Sequence, residues 1–161
     1  MEHPTAPTAR SIMTRRLVTL QPDMALLDAA ALLLKKGISG APVVDDQGYL
    51  LGLLSEFDCL RAVASSDYEM DRHDTIETVE QGMSRDPRTI GPEVELFAIA
   101  HEFVSTHMRR FPVVEEGKLI GQVSRRDALR AAIELRRKME RGKTGYPDYP
   151  EGRNPIKNYP A

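Results

Sequence analysis

An internal repeat restricts the possible folds of this chain more than any other feature. Shifting the sequence by 70 residues places its first Pro-Val-Val segment on its second, and after one slip inside a turn the shift becomes 69. The aligned positions include Pro42 with Pro112, Gly52 with Gly121, Ser55 with Ser124, and Asp58 with Asp127. We therefore expect two similar units over residues 9–66 and 79–135, a linker at 67–78, and a C-terminal segment at 136–161 that ends in a Pro/Tyr-rich tail.

Each unit has the apolar pattern of a β-α-β-β-α fold, in the α/β (α+β) class. In the first unit we predict strands at 17–20, 41–45 and 50–54, a helix at 24–36, and a second helix from Glu56. Asp23 is the expected N-cap of the first helix, and Gly37 its C-terminal stop. In the second unit the corresponding strands are 88–90, 111–114 and 119–123, and the last helix runs from Arg125 to Arg141. Short helices are predicted at 7–12 and 75–81, ahead of the two units.

The overall composition excludes several classes of function. The net charge of -2 indicates no general attraction to nucleic acid or membranes, and the apolar runs are too short to cross a bilayer. Cys59 is the only cysteine, so an internal disulfide is impossible, which suits a cytoplasmic location. His101 and His107 are six residues apart and do not share a helical face, so no metal site is predicted. We interpret the basic residues of 125–143 as a solvated helix face.

The strongest local signal lies where the last strand of each unit meets the last helix. There the sequence has a glycine, then Ser55 and Asp58 in unit one and Ser124 and Asp127 in unit two. One interpretation is a capping box, with serine as N-cap and a carboxylate at N3. The other is a ligand site, because a helix N-terminus attracts phosphate and an aspartate can accept hydrogen bonds from a ribose diol. The spacing alone leaves both interpretations open.

The twofold motif resembles a tandem pair of cystathionine-β-synthase-type (CBS) domains, over about residues 9–135. Each unit has a hydrophobic-Pro-Val-Val strand followed by Gly-x-x-Ser-x-x-Asp. The resemblance implies two repeats packed with pseudo-twofold symmetry as a Bateman-type module. It also implies clefts that bind an adenosine-containing ligand: AMP, ADP, ATP, S-adenosylmethionine or an NAD-like compound.

The resemblance also implies which residues contact the ligand. Ser55 and Ser124 would contact phosphate, Asp58 and Asp127 would contact ribose, and the strand starts would approach the adenine. Those strand starts are Ser39, Gly40, Ala41 and Pro42 in unit one, and Arg109, Arg110, Phe111 and Pro112 in unit two. Arg109 and Arg126 are candidate phosphate clamps. Because Arg109 replaces Ser39, we expect the site built around Asp127 to be the better equipped for a phosphorylated ligand. Gln122 replaces Leu53 and is a candidate cleft-facing residue.

The resulting hypothesis is a regulatory module without catalytic residues or an intrinsic metal, which signals to a separate, unidentified partner protein. Exposed apolar helix faces predict a homodimer. The alternative is a structural or interaction module with empty clefts, which docks a partner through its C-terminal tail.

Overall fold

The computed structural model describes residues 5–67 and 77–143; the predicted linker and the Pro/Tyr tail lie almost wholly outside them. Two β-hairpins carry a pair of helices each, and short elements precede each unit. The order is α1 (Ala9–Ile12), α2 (Leu26–Lys36), β1 (Gly40–Val44), β2 (Leu50–Ser55), α3 (Glu56–Asp67), α4 (Val79–Gly82), β3 (Ser84–Arg85), α5 (Leu96–Thr106), β4 (Arg110–Glu115), β5 (Lys118–Ser124) and α6 (Arg125–Lys143). This mixed α/β architecture is the predicted class.

The first predicted strand of each unit is reduced to a single bridge. Leu20 pairs in parallel with Val43, and Ile90 pairs in the same way with Val113. The Leu20 amide donates to the Pro42 carbonyl at 2.9 Å, and its carbonyl accepts from the Val44 amide at 3.0 Å. The next bond of this ladder would need an N–H from residue 42, which proline lacks. The predictions of strands at 17–20 and 88–90 were therefore wrong in length.

Helix α2 starts later than predicted and has a different cap. Its N-cap is Ala25, which makes no side-chain capping bond, so Asp23 is not the cap. The Leu26 amide instead donates to the Glu77 carbonyl at 2.9 Å, because the segment before the helix pairs with the chain entering unit two. A neighbouring backbone thus satisfies an amide at the helix end. Gly37 ends the helix with φ of +64°, as predicted.

The two short N-terminal helices are exchanged between the units. Ala9 and Met13, at the start of unit one in the sequence, lie in the core formed otherwise by residues of unit two. Val79 and Met83, at the start of unit two, lie in the core of unit one. Arg10 strengthens the first contact with ion pairs to Glu93 at 2.8 Å and Glu115 at 2.6 Å. A packed unit is therefore not a contiguous stretch of sequence.

The two hairpins also meet directly. The Leu50 amide donates to the Gly117 carbonyl at 3.1 Å, and the Leu119 amide donates to the Gly48 carbonyl at 3.0 Å. These bonds, together with the exchanged helices, hold the two units as one body with a cleft between their strand ends. Within the described part of the chain, no helix has the length and apolar character needed to span a membrane.

Candidate functional site

The Ser55–Asp58 pair forms a closed turn at the N-terminus of α3. The Asp58 Oδ2 atom accepts hydrogen bonds from the Ser55 amide at 2.9 Å and the Ser55 hydroxyl at 2.7 Å. The Asp58 amide in turn donates to Ser55 Oγ at 3.2 Å. This is a capping box with aspartate at N3, so the structural interpretation of the motif holds in unit one. It leaves the ligand interpretation open, because Oδ1 and the next helical amides lie outside the turn.

The Ser124–Asp127 pair has the same geometry in unit two. Asp127 Oδ2 accepts from the Ser124 amide at 2.9 Å and its hydroxyl at 2.8 Å. The two aspartates differ at their second oxygen. Asp58 Oδ1 accepts from the Arg61 guanidinium at 2.6 Å, whereas the nearest contact of Asp127 Oδ1 with Arg130 is 3.7 Å. The Asp127 carboxylate thus keeps one oxygen that is more available to a ligand hydroxyl.

The glycine of each motif has a steric role rather than a ligand role. A Cβ atom on Gly52 would lie 2.6 Å from the Ser84 carbonyl oxygen, because β3 runs beside β2 at that point. A Cβ atom on Gly121 would lie 2.5 Å from the Met13 sulfur and 3.0 Å from the Thr14 carbonyl oxygen. The glycines therefore admit the exchanged N-terminal segments against the central strands.

The loops that precede β1 and β4 are tied to the helix N-termini. The Glu56 amide donates to the Ser39 carbonyl at 2.9 Å, and the Arg125 amide donates to the Arg109 carbonyl at 3.2 Å. Arg125 reinforces the second loop, since its guanidinium donates to the Met108 carbonyl at 2.7 Å. The backbones of residues 39 and 109 are therefore each held beside the Ser–Asp turn of their own unit.

One cleft lies between the strand ends of the two units and is lined by residues of both. Its lining residues are Ser39, Gly40, Ala41, Leu53, Leu54, Ser55, Met108, Arg109, Arg110 and Gln122. Across it, the Arg110 guanidinium donates to the Ser39 hydroxyl at 3.3 Å. Ser55 and Arg109 both line this cleft, whereas Asp58, Ser124 and Asp127 are not among its lining residues.

The remaining predicted site residues divide between the core and the surface. Phe111 and Pro112 are fully buried and are not among the lining residues of the cleft, and Pro42 is also buried. Arg126 is exposed on the second residue of α6 and is not among the lining residues of this cleft. Met108 lines the cleft and was missed, since nothing in its residue type indicates a ligand. Gln122, in contrast, lines it as expected.

The cysteine next to this site is buried and has a raised thiol pKa. Cys59 follows Asp58 on α3 and is buried. Burial raises the pKa of its thiol, and the Asp58 carboxylate raises that pKa further, because both disfavour the thiolate. No group of three or more His, Cys, Asp or Glu side chains that could hold a metal ion occurs among residues 5–67 and 77–143.

Comparison with known proteins identifies the family. The CBS domain family matches residues 9–65 and 76–134, so the chain belongs to the CBS domain family and contains two copies of the domain. The chloroplastic CBS domain-containing protein CBSX2 of Arabidopsis thaliana is 30% identical over 158 residues, covering 83% of this chain and 66% of that protein. An uncharacterized protein of Methanocaldococcus jannaschii is 31% identical over 121 residues, covering 75% of this chain and 41% of that protein.

Solved structures agree with this family. The crystal structure of CBSX2 in complex with AMP has a TM-score of 0.71 at 31% identity, covering 81% of this chain and 98% of that chain. A putative acetoin utilization protein (AcuB) from Vibrio cholerae has a TM-score of 0.71 at 27% identity, covering 85% of this chain and 98% of that chain. The fold is therefore that of a CBS pair, a Bateman-type module.

Proposed function

We propose that this chain is a non-catalytic regulatory module that binds an adenosine-containing ligand between its two CBS units and signals to a separate protein, in the cytoplasm. The observation that carries the proposal is the pair of Ser–Asp turns at the N-termini of α3 and α6, beside strand ends that form an inter-unit cleft. The binding of AMP by CBSX2, which is 31% identical, supports this choice of ligand class. AMP, ADP, ATP, S-adenosylmethionine and NAD-like compounds all belong to that class.

The chemistry of the turns suits a phosphorylated nucleoside. The first and third amides of α3 and α6 donate to loop carbonyls and serine hydroxyls, which leaves the second amide of each helix, with the partial positive charge of the helix end, for a phosphate. The second carboxylate oxygens of Asp58 and Asp127 can accept a ribose hydroxyl, after displacement of Arg61 in the case of Asp58. A ligand in contact with both units would stabilise one relative packing of the units, and this differential affinity is what a sensor requires.

The module is proposed to act as a homodimer, because each unit exposes an apolar helix face. On α2, the side chains of Leu27 and Leu34 are 72% and 74% exposed, and they border a groove against α3. On α5, the equivalent Phe97 and Val104 are 64% and 73% exposed. Contiguous apolar surfaces of this kind mark association sites.

The charges of these faces favour a head-to-tail arrangement of the two copies. Glu56 lies on the groove of unit one, while α6 of unit two carries far more basic than acidic residues. A dimer that packs unit two on unit two would bring two basic helices together. Packing unit one on unit two of the second copy instead places the groove of unit one and its Glu56 opposite Phe97 and the basic residues of α6. We therefore propose that a second copy of the chain covers the apolar faces of both α2 and α5.

Isothermal titration of the full chain with AMP, ATP, S-adenosylmethionine and NAD tests the proposed function. We expect binding of at least one, and an increase in Kd on the order of tenfold or more for Asp58→Ala or Asp127→Ala, since each removes a charged acceptor. Asp46→Ala, in an exposed turn, is the matched control and should leave Kd unchanged. A folded wild-type chain that binds none of the four ligands would refute the proposal.

A further inference from the structure

The two walls of the inter-unit cleft differ in charge, although they come from equivalent positions of the repeat. Unit one contributes Ser39 and Gly40, which are small and neutral. At the same positions unit two contributes Arg109 and Arg110. Arg109 and Arg110 therefore line the same cleft as Ser55, and no lining residue among residues 5–67 and 77–143 carries a carboxylate.

The structure holds both arginines at this cleft without neutralising them. Arg110 begins β4, where it pairs with Ser124, and its guanidinium reaches across to a neutral hydroxyl on Ser39. The backbone of Arg109 is fixed by the Arg125 amide. Within the described ranges, neither Arg109 nor Arg110 has a carboxylate at ion-pair distance, in contrast to Arg10, Arg61 and Arg88. Two unpaired cations in one cleft favour an anionic ligand.

We propose that the arginines of unit two serve the cleft of unit one, so that Ser55, Arg109 and Arg110 together select phosphorylated adenosine ligands over the positively charged S-adenosylmethionine. This inference rests on the proposed function and makes it more specific. In this arrangement Ser55 of unit one binds phosphate together with Arg109 and Arg110 of unit two, so both repeats contribute to one phosphate site. Ligand binding at a site of this composition bridges the two units and replaces the weak contact between Arg110 and Ser39.

A double-mutant cycle tests the shared cleft directly. The affinity for ATP is measured by isothermal titration for Arg109→Met, Ser55→Ala, Ser124→Ala and the two double variants that contain Arg109→Met. We expect Arg109→Met to weaken ATP binding on the order of tenfold or more, because a charge-assisted hydrogen bond is lost. This loss should shrink in the Ser55→Ala background and stay the same in the Ser124→Ala background.

The controls are built into this design. Ser55→Ala and Ser124→Ala each remove one capping hydroxyl, so the loss of the cap is matched between the two backgrounds. Arg137→Met, at an exposed position on α6, controls for the loss of a positive charge and should leave the affinity for ATP unchanged. Urea unfolding of each variant confirms that it is folded.

The outcomes separate this inference from the proposed function. Wild-type chain that binds ATP more tightly than S-adenosylmethionine, with coupling between Arg109 and Ser55, supports the inference. Coupling of Arg109 with Ser124 instead, an unchanged affinity in Arg109→Met, or tighter binding of S-adenosylmethionine overturns it while the proposed function stands. Absence of binding by any adenosine ligand overturns both.

Discussion

Gly52 and Gly121 occupy equivalent positions, but a methyl group at each would meet different atoms. At Gly52 it would lie 2.6 Å from the backbone oxygen of Ser84, whereas at Gly121 its nearest neighbour, at 2.5 Å, is the flexible end of Met13. We expect Gly52→Ala to lower the free energy of unfolding by about 1–3 kcal/mol, because the backbone of β3 must move. Gly121→Ala should have a smaller effect. Urea unfolding followed by circular dichroism measures both.

Gly91 provides the control for these two substitutions. A Cβ atom there would have no neighbour closer than Val94 Cγ2 at 3.9 Å. Gly91→Ala should therefore leave the stability nearly unchanged. If Gly52→Ala were as stable as Gly91→Ala, that result would contradict the close approach of β3 to β2.

The Cys59 thiol should be chemically inert in the folded chain. Burial and the Asp58 carboxylate raise its pKa, so a smaller fraction is thiolate at neutral pH than for a free cysteine. We expect alkylation by iodoacetamide to be slow in buffer and to accelerate in denaturant or as the pH rises toward the raised pKa. Rapid labelling of the folded protein at neutral pH, at the rate of a free thiol, would contradict this burial.

At the scale of elements, the exchange of α1 and α4 means that the core of each unit is stabilised by a short helix from the other unit's stretch of sequence. Met13 and Met83 are 9% and 7% exposed in the cores of the opposite units. We expect Met13→Ala to destabilise unit two by about 2–5 kcal/mol, which is typical of truncating a buried methionine. Hydrogen exchange should therefore speed up in α5 and β4 while unit one is less affected.

Met83→Ala is the reciprocal variant and should raise exchange in α2 and β1 instead. If each substitution loosened the unit to which the methionine belongs in the sequence, the exchange of the short helices would be wrong. The same measurement on both variants thus decides between a contiguous unit and an exchanged one.

Most elements could be predicted from the sequence because their signals are local. The apolar stripe of α2, the stop at Gly37 and the two hairpins follow from periodicity and turn residues, and the structure confirms them. The start of α2 and the short bridge at Leu20 could not be predicted, because they depend on a distant backbone at Glu77 and on the missing amide of Pro42. The exchange of α1 and α4 is likewise a matter of packing, which a repeat pattern does not contain.

The site shows the same division between local and distant effects. The Ser–Asp turns follow from the spacing of three residues, and their geometry is formed within a single helical turn. The grouping of Arg109 with Ser55 depends on how the two units face each other. The roles assigned to these residues in ligand binding stay predictions.

At the scale of the whole molecule, the dimer arrangement can be tested with single cysteines in a Cys59→Ala background. In a head-to-tail dimer, equivalent positions of unit one and unit two of the second copy face each other. Leu60 and Leu129 are such a pair, and they are 65% and 63% exposed. We expect a mixture of Leu60→Cys and Leu129→Cys chains to form disulfide-linked heterodimers more readily than either chain alone forms homodimers.

Asp46→Cys, in an exposed turn of the first hairpin, is the control for random collision. Efficient cross-linking of Leu60→Cys with itself would show that unit one packs on unit one. Sedimentation equilibrium that found only monomer at micromolar concentration would reject the dimer altogether.

The binding of an adenosine ligand between the two CBS units is tested most directly by the electron density of crystals grown with AMP. We expect AMP in the inter-unit cleft, with a ribose hydroxyl at hydrogen-bond distance from Asp58 or Asp127. Its phosphate should lie against the N-terminus of α3 or α6. AMP bound elsewhere on the surface, or clefts that stay empty at a saturating concentration, would contradict it.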